Sequence, residues 1–253
     1  MGEKGLNQTI ILKTSGLAKH FGGLHAVDGV DMQIFEREVL SIVGANGAGK
    51  TTLLKLISGG HPIDRGQMSF EGLDVSRLGL IQHARMGIIY SFQIPALFEH
   101  LSALDCVRIA LLTREGKTVL FFPTIEKFQP IRSEAEEILE MFNVPRSSPA
   151  HLLPHGQRKL LDVAIAFALK PKLLLLDEPT SGVSTKEKGQ VMDTIMPIIQ
   201  KSNTTTVIVE HDMQIVTRYS QRVIVMDQGK ILAQGAPQEI LNNPKVGEVL
   251  LWR

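Results

Sequence analysis

The sequence predicts an α/β fold, a mostly parallel sheet covered by helices with a helical lobe inserted in its middle. Three observations lead there. Short β-like runs alternate with helical patterns at both ends of the chain, the arrangement that builds a parallel, covered sheet. Two of those runs, "EVLSIV" and "KLLLLDEP", are almost continuously apolar, as strands buried on both faces are. Between about Leu97 and Leu169 helical patterns occur without a convincing buried strand.

In chain order, "TIILKTSGLAKHF" and "DMQIF" read as edge strands, and "EVLSIV" as a buried strand. "KTTLLKLISGG" is a helix closed by Gly59 and Gly60, because glycine takes the left-handed conformation that ends a helix. The lobe carries "ALDCVRIALL", "RSEAEEILEMF" and "GQRKLLDVAIAFAL" at helical spacing. A loop containing "TREGKTVLFFPTIEKFQP" separates the first two, and its three Phe residues are either packing, the favoured reading, or a partner surface. Strands return at "KLLLLDEP", "TTTVIVEHD" and "RVIVMDQGKILAQG", with helices at "KEKGQVMDTIMPIIQK" and "MQIVTRY".

The composition is that of an ordinary globular chain, 253 residues with 43% hydrophobic and 21% charged. Lys+Arg 27 against Asp+Glu 26 gives a net charge of +1, which makes no electrostatic case for nucleic acid as a partner. The single cysteine, Cys106, excludes an internal disulfide and reads as a small core residue suited to a reducing compartment. The start, "MGEKGLNQTI", lacks the apolar centre of a secretion signal. Asp162, Lys170, Pro171 and Lys172 interrupt the most apolar stretch, so no segment is expected to span a membrane.

Two motifs carry chemistry. Gly44 to Thr51, "GANGAGKT", fits G-x-x-x-x-G-K-[ST] between a buried strand and a helix, the setting of a phosphate-binding loop. Its glycines, Gly44, Gly47 and Gly49, let the backbone approach a ligand, and N–H groups from Gly47 through Ala48 to Thr52 would surround the phosphates. Lys50 would reach the β and γ oxygens, and the Thr51 hydroxyl would hold Mg²⁺. The strand "LLLLDEP" then ends in Asp177 and Glu178 at the carboxyl edge, where α/β sheets bind ligands. Neighbouring strand residues point differently, so Asp177 would serve the Mg²⁺ shell and Glu178 would polarise a water for attack on the γ-phosphate.

With "SFQ", "LPHGQRK" and "VEHD", the series "GANGAGKTT", "LLLLDEPTSGVS" makes the chain resemble the ATP-binding subunit of an ABC transporter over nearly all of its 253 residues. The resemblance implies a P-loop ATPase core with a mostly parallel sheet, an antiparallel β subdomain and an inserted helical subdomain. It implies one ATP-binding domain over 1–253, its core at 1–96 and 170–253 and its helical subdomain at 97–169. It further implies ATP and Mg²⁺ as cofactors, and two subunits, identical or paralogous, facing head to tail around two ATP molecules. Polytopic membrane permease subunits are the implied direct partners, an extracytoplasmic solute-binding protein an indirect one, and the cytoplasmic face of the membrane the implied location.

By the same resemblance Phe21 matches the aromatic that stacks on adenine, with Asn46 in the phosphate loop. Gln93 matches a glutamine that senses Mg²⁺ and the membrane partner, and His211 a switch histidine at the γ-phosphate. Gly156 and Gln157 match the end of the signature segment, whose helix N-terminus would face the partner's γ-phosphate. The signature departs from L-S-G-G-Q at Pro154 and His155, Pro154 suiting the first turn of a helix, and Ser184 stands where the family usually has Asp. Both departures bear on hydrolysis rate and on coupling between the two sites. The segments "LAKHFGGLHAVDGVDMQI", "TREGKTVLFFPTIEKFQP" and "EILNNPKVGEVLLWR" look like importers of branched-chain amino acids and of the closely similar urea and short-chain amide systems, and His155 before Gly156 also looks like the urea-type signature. A soluble, non-transport ATPase of this class would usually carry two cassettes or a long coiled coil between Gln93 and Gly156, and neither is present.

Overall fold

The computed structural model describes residues 9–91, 98–116 and 129–250. Two sheets form its frame. Strands β1 (Ile10–Phe21), β2 (Leu24–Phe35), β4 (Arg65–Phe70) and β5 (Leu73–Asp74) make an antiparallel sheet in the order β2-β1-β4-β5. Strands β3 (Val39–Gly44), β6 (Ile88–Ser91), β7 (Leu173–Asp177), β8 (Thr205–Val209), β9 (Arg222–Asp227) and β10 (Lys230–Gly235) make the second, in the order β10-β9-β3-β8-β7-β6. It is parallel from β9 through β6, and only β10 runs antiparallel, on β9.

The first hairpin corrects two expectations. Strand β1 is not an edge: it pairs with β2 on one side and β4 on the other, which buries Leu12 and Leu17 completely. Strand β2 starts well before "DMQIF", at Leu24, because Gly22 and Gly23 form a two-residue turn with Phe21 opposite Leu24, and Gly22 has φ +59°. Short elements escaped the sequence reading altogether: β4 to β6, α2 (Leu80–Met86), α8 (Pro237–Leu241) and α9 (Pro244–Leu250). The last strand run also divides into β9 and β10 at Gly229, whose φ is +79°.

Strand β7 shows how the core is divided. Leu173 and Leu175 pack with α1 (Lys50–Ile57) and the antiparallel sheet, whereas Leu174 and Leu176 pack with the helices on the other face. All four are fully buried, and each contributes about 1.5–3 kcal/mol of apolar burial. That second face is covered by α3 (Ala103–Arg114), α4 (Gln129–Met141), α5 (His155–Ala168) and α6 (Thr185–Ser202), with Leu111, Leu139, Phe142 and Leu161 in one continuous cluster with the sheet. Helix α7 (Met213–Tyr219) completes the chain's third, smaller cluster together with α8 and α9. Cys106 is buried within α3, as expected, and its thiol is pushed up to about 11 by burial. Among the described residues no helix is long and apolar enough to cross a membrane. Residues 117–128, with the three Phe, lie outside the described residues.

Candidate functional site

The loop between β3 and α1 is shaped by its glycines. A Cβ on Gly44 would lie 2.3 Å from the Met226 carbonyl oxygen, and one on Gly49 would lie 2.1 Å from that of Ala26, so neither position tolerates a side chain. Gly47, at φ +82°, faces open space, and Asn46 beside it is exposed, while Ala48 is buried beneath the loop. Lys50 folds over this loop and its Nζ donates to the Gly44 and Ala45 carbonyls at 2.8 and 2.9 Å. Burial lowers the Lys50 pKa, opposed by the nearby Glu178 and Asp177 carboxylates. The result is a buried cation held by loop carbonyls at the start of α1.

Opposite the loop, β7 brings in the carboxylates. Asp177 Oδ1 accepts from the Thr51 hydroxyl at 3.3 Å, and its Oδ2 accepts from the Tyr90 hydroxyl at 2.6 Å. Tyr90, at the end of β6, thus fixes one carboxylate oxygen and leaves the other beside Thr51; burial pushes its own phenol well above the usual range. Glu178 takes a left-handed backbone, φ +50°, anchored by its N–H donating to the Val209 carbonyl at 2.9 Å. That turn swings its side chain to His211, whose Nε2 lies 2.8 Å from Glu178 Oε1. Both side chains are about two-fifths exposed, 41% and 39%, so the contact orients the pair and adds little stability. Beneath them buried Glu210 accepts from the Thr180 N–H and hydroxyl at 3.1 and 2.7 Å and from the His211 N–H at 3.2 Å. Burial raises the Glu210 pKa, and those hydrogen bonds oppose the rise.

The remaining expected residues are dispersed around this centre. Phe21 sits at the β1–β2 turn, 44% exposed, with its ring at a steep angle to that of His61 at 5.4 Å and Lys19 Nζ over it at 5.5 Å from the ring centre. Thr52 follows Thr51 in the first turn of α1. Gly156 and Gln157 open α5, but Pro154 is its N-cap rather than part of its first turn, with φ −52° and ψ 152° and no side-chain cap. Lys159 ties that helix start to the loop after β7, donating to Ser181 Oγ at 2.9 Å and the Glu178 carbonyl at 3.4 Å. Ser184 serves as the N-cap of α6. Phe98 packs partly buried against the helical cluster. Gln93 lies outside the described residues.

Tyr90, Lys159 and Glu210 are contributors that sequence reasoning missed. Tyr90 sits at no diagnostic spacing, since it and Asp177 are 87 residues apart and meet only because β6 pairs with β7, whereas Lys159 and Glu210 lie within "LPHGQRK" and "VEHD" beside the residues singled out there. The residues present fit a magnesium nucleotide: a loop with no room for a Cβ at Gly44 or Gly49, an ammonium needing a counter-charge, and a hydroxyl beside a carboxylate for a hard cation. Thr51 and Asp177 would hold the ion, which when bound withdraws charge from phosphate oxygens. Glu178, a carboxylate able in principle to accept a proton from water, follows Asp177 with its orientation set by His211.

Comparison with known proteins agrees with that geometry. The family profile described as ABC transporter matches residues 27–181. The chain is 34% identical over 244 residues to the high-affinity branched-chain amino acid transport ATP-binding protein BraF of Pseudomonas aeruginosa, covering 93% of this chain and 95% of that one. It is also 34% identical over 248 residues to a probable branched-chain amino acid transport ATP-binding protein, LivG, of Archaeoglobus fulgidus, covering 95% of each. A crystal structure of an ATP-binding cassette of an ABC transporter in its ADP conformation superposes with a TM-score of 0.85 at 29% identity, covering 95% of this chain and 98% of that one.

Proposed function

The chain belongs to the ABC transporter family, and on that premise we propose that it powers the import of branched-chain amino acids. It is an ATP-binding and ATP-hydrolysing subunit, as its homologues are. The observation that carries the mechanism is the meeting, at one sheet edge, of the phosphate loop, the Thr51–Asp177 pair and the Glu178–His211 pair. The solute rests on likeness along nearly the whole chain to ATPases named for branched-chain amino acids. A urea or short-chain amide solute is the second reading, favoured by His155 ahead of Gly156.

In this reading the chain is one domain, with its core at 1–96 and 170–253 and its helical subdomain at 97–169. Phe21 stacks on the base; Gly44, Asn46, Gly47, Ala48, Gly49, Lys50, Thr51 and Thr52 hold the phosphates; Thr51, Asp177 and Gln93 hold Mg²⁺. Glu178 takes a proton from the attacking water while His211 keeps it aimed, and Gly156 and Gln157 face the nucleotide of a second ATP-binding subunit. Permease subunits at the cytoplasmic face of the membrane would dock on a cleft of about 940 Å³ between α2, β6 and α5, where Leu80 and Ile81 are exposed and Phe98 and Ile165 line the wall.

Glu178→Gln should keep Mg-ATP binding while hydrolysis falls by about 10²-fold or more, because the amide accepts no proton. Nucleotide affinity and phosphate release measured on the same preparation check it, and wild-type release would refute the role. Uptake of labelled leucine against labelled urea by the complex purified from its native membrane decides between the solutes.

A further inference from the structure

The β1–β2 hairpin holds a cluster of ligating side chains outside the carboxylate centre. His20 and His25 are cross-strand partners with ring centroids 4.0 Å apart, and Asp28 follows on β2. One ligating atom from each of the three lies within 4.8 Å of the other two. His25 Nδ1 is 3.9 Å from Asp28 Oδ1, too far for a hydrogen bond. It is close to the spacing of about 3.4 Å that tetrahedral zinc with bonds of about 2.0–2.1 Å imposes on its ligand atoms.

A second observation is independent of that spacing. His20 Nε2 is sealed from solvent and has no hydrogen-bond partner among the described residues. Buried polar atoms are nearly always partnered, so this nitrogen points to a group supplied from outside the chain.

We propose that His20, His25 and Asp28 bind a divalent transition metal, with zinc the ion whose preferences they match. Two imidazoles and one carboxylate suit Zn²⁺ and its neighbours, whereas Mg²⁺ and Ca²⁺ prefer all-oxygen shells. Three protein donors leave one tetrahedral position for water.

The backbone that carries these donors is already fixed. Asp64 accepts from the His20 N–H at 2.7 Å and from Lys19 Nζ at 2.7 Å, and the Asp28 N–H donates to the Gly229 carbonyl at 2.9 Å. Lys230 Nζ lies 3.4 Å from Asp28 Oδ2, so the competing cation sits on one carboxylate oxygen and leaves Oδ1 on the His25 side. Because Phe21 directly follows His20, an ion here stiffens the same turn that presents the exposed ring.

The test is calorimetry of Zn²⁺ with the full chain, free of tags and stripped of metal, without nucleotide and with excess Mg²⁺ to occupy the oxygen-preferring site. One equivalent of Zn²⁺ is expected, with Co²⁺ giving the visible absorption of a tetrahedral nitrogen–oxygen site. His20→Ala, His25→Ala and Asp28→Ala should each weaken Zn²⁺ by about tenfold or more, since loss of outer-shell partners alone costs about 10–100-fold. The His25 side chain is 56% exposed, so His25→Ala keeps the test decisive if His20→Ala fails to fold. Zn²⁺ affinity unchanged in His25→Ala, or no Zn²⁺ binding by the wild-type chain, overturns the proposal.

Discussion

Asp162 is the carboxylate whose environment argues most directly for a measurable titration. It sits on α5, where the Ser91 hydroxyl donates to its Oδ2 and the Lys159 charge also favours its ionised form. Desolvation outweighs both, and its pKa is pushed up from 3.8 to about 7. A carboxyl raised on folding binds its proton more tightly in the native state, so its contribution is full below the unfolded value and is lost as pH rises through the folded one. Stability attributable to this group should therefore fall between about pH 4 and about pH 7. Asp162→Asn, which keeps the size and an acceptor for Ser91, should flatten that fall. Urea midpoints measured across the window check it, and a slope equal to wild type would show that other groups set the pH response. The same residue marks a limit of sequence reading. Asp162 was legible only as a charge that breaks an apolar run, because its partner Ser91 is 71 residues away. Lys50, Thr51, Asp177 and Glu178 were legible because their spacing is local to a strand end or a helix start.

Helix α6 shows the same contrast one level up. Its start carries a capping box: the Ser184 hydroxyl accepts from the Glu187 N–H at 3.4 Å, and the Ser184 N–H donates to Glu187 Oε2 at 3.1 Å. Ser184 also donates its hydroxyl to Glu187 Oε2 at 2.6 Å, and these bonds hold the Glu187 carboxyl below its usual range. The departure from the usual Asp thus has a use within its own helix. Ser184→Ala should cost about 1 kcal/mol of unfolding free energy, and Ser184→Thr should recover most of it. Chemical denaturation of the three proteins checks this; an Ala variant as stable as wild type would mean that the box is idle. Helices α3 to α6, with their helical spacing, and β3, β7 and β8, as apolar runs buried on both faces, were legible. Strand β5, with two residues, and β6, with four, were not, since so few positions carry no period and only pairing with β4 and β7 makes them strands.

At the scale of the whole molecule, the proposed head-to-tail pairing places the start of α5 against a second copy's nucleotide. Pro154 and His155 are both exposed there, as such a contact requires. Pro154 is the N-cap and offers no side-chain acceptor, so the first N–H groups of the helix, through Gln157, stay available to an incoming phosphate together with the positive helix end. Serine at this position has two outlets. Its oxygen can cap its own helix, worth about 1 kcal/mol to the monomer, or its hydroxyl can donate to the partner's phosphate, where hydrogen bonds to charged groups are worth about 1.5–3 kcal/mol. We expect the second outlet to dominate once ATP is present, because the phosphate is the stronger acceptor. Pro154→Ser, made in the Glu178→Gln background so that hydrolysis does not drain the complex, should lower the ATP concentration for dimerisation about tenfold, equivalent to about 1.4 kcal/mol. Light scattering against ATP concentration gives that midpoint, and thermal unfolding of the nucleotide-free monomer gives the capping contribution separately. A more stable monomer with an unchanged dimerisation midpoint would mean that the hydroxyl is held by its own helix, and that the Gly156 and Gln157 N–H groups with His155 already satisfy the partner's phosphate.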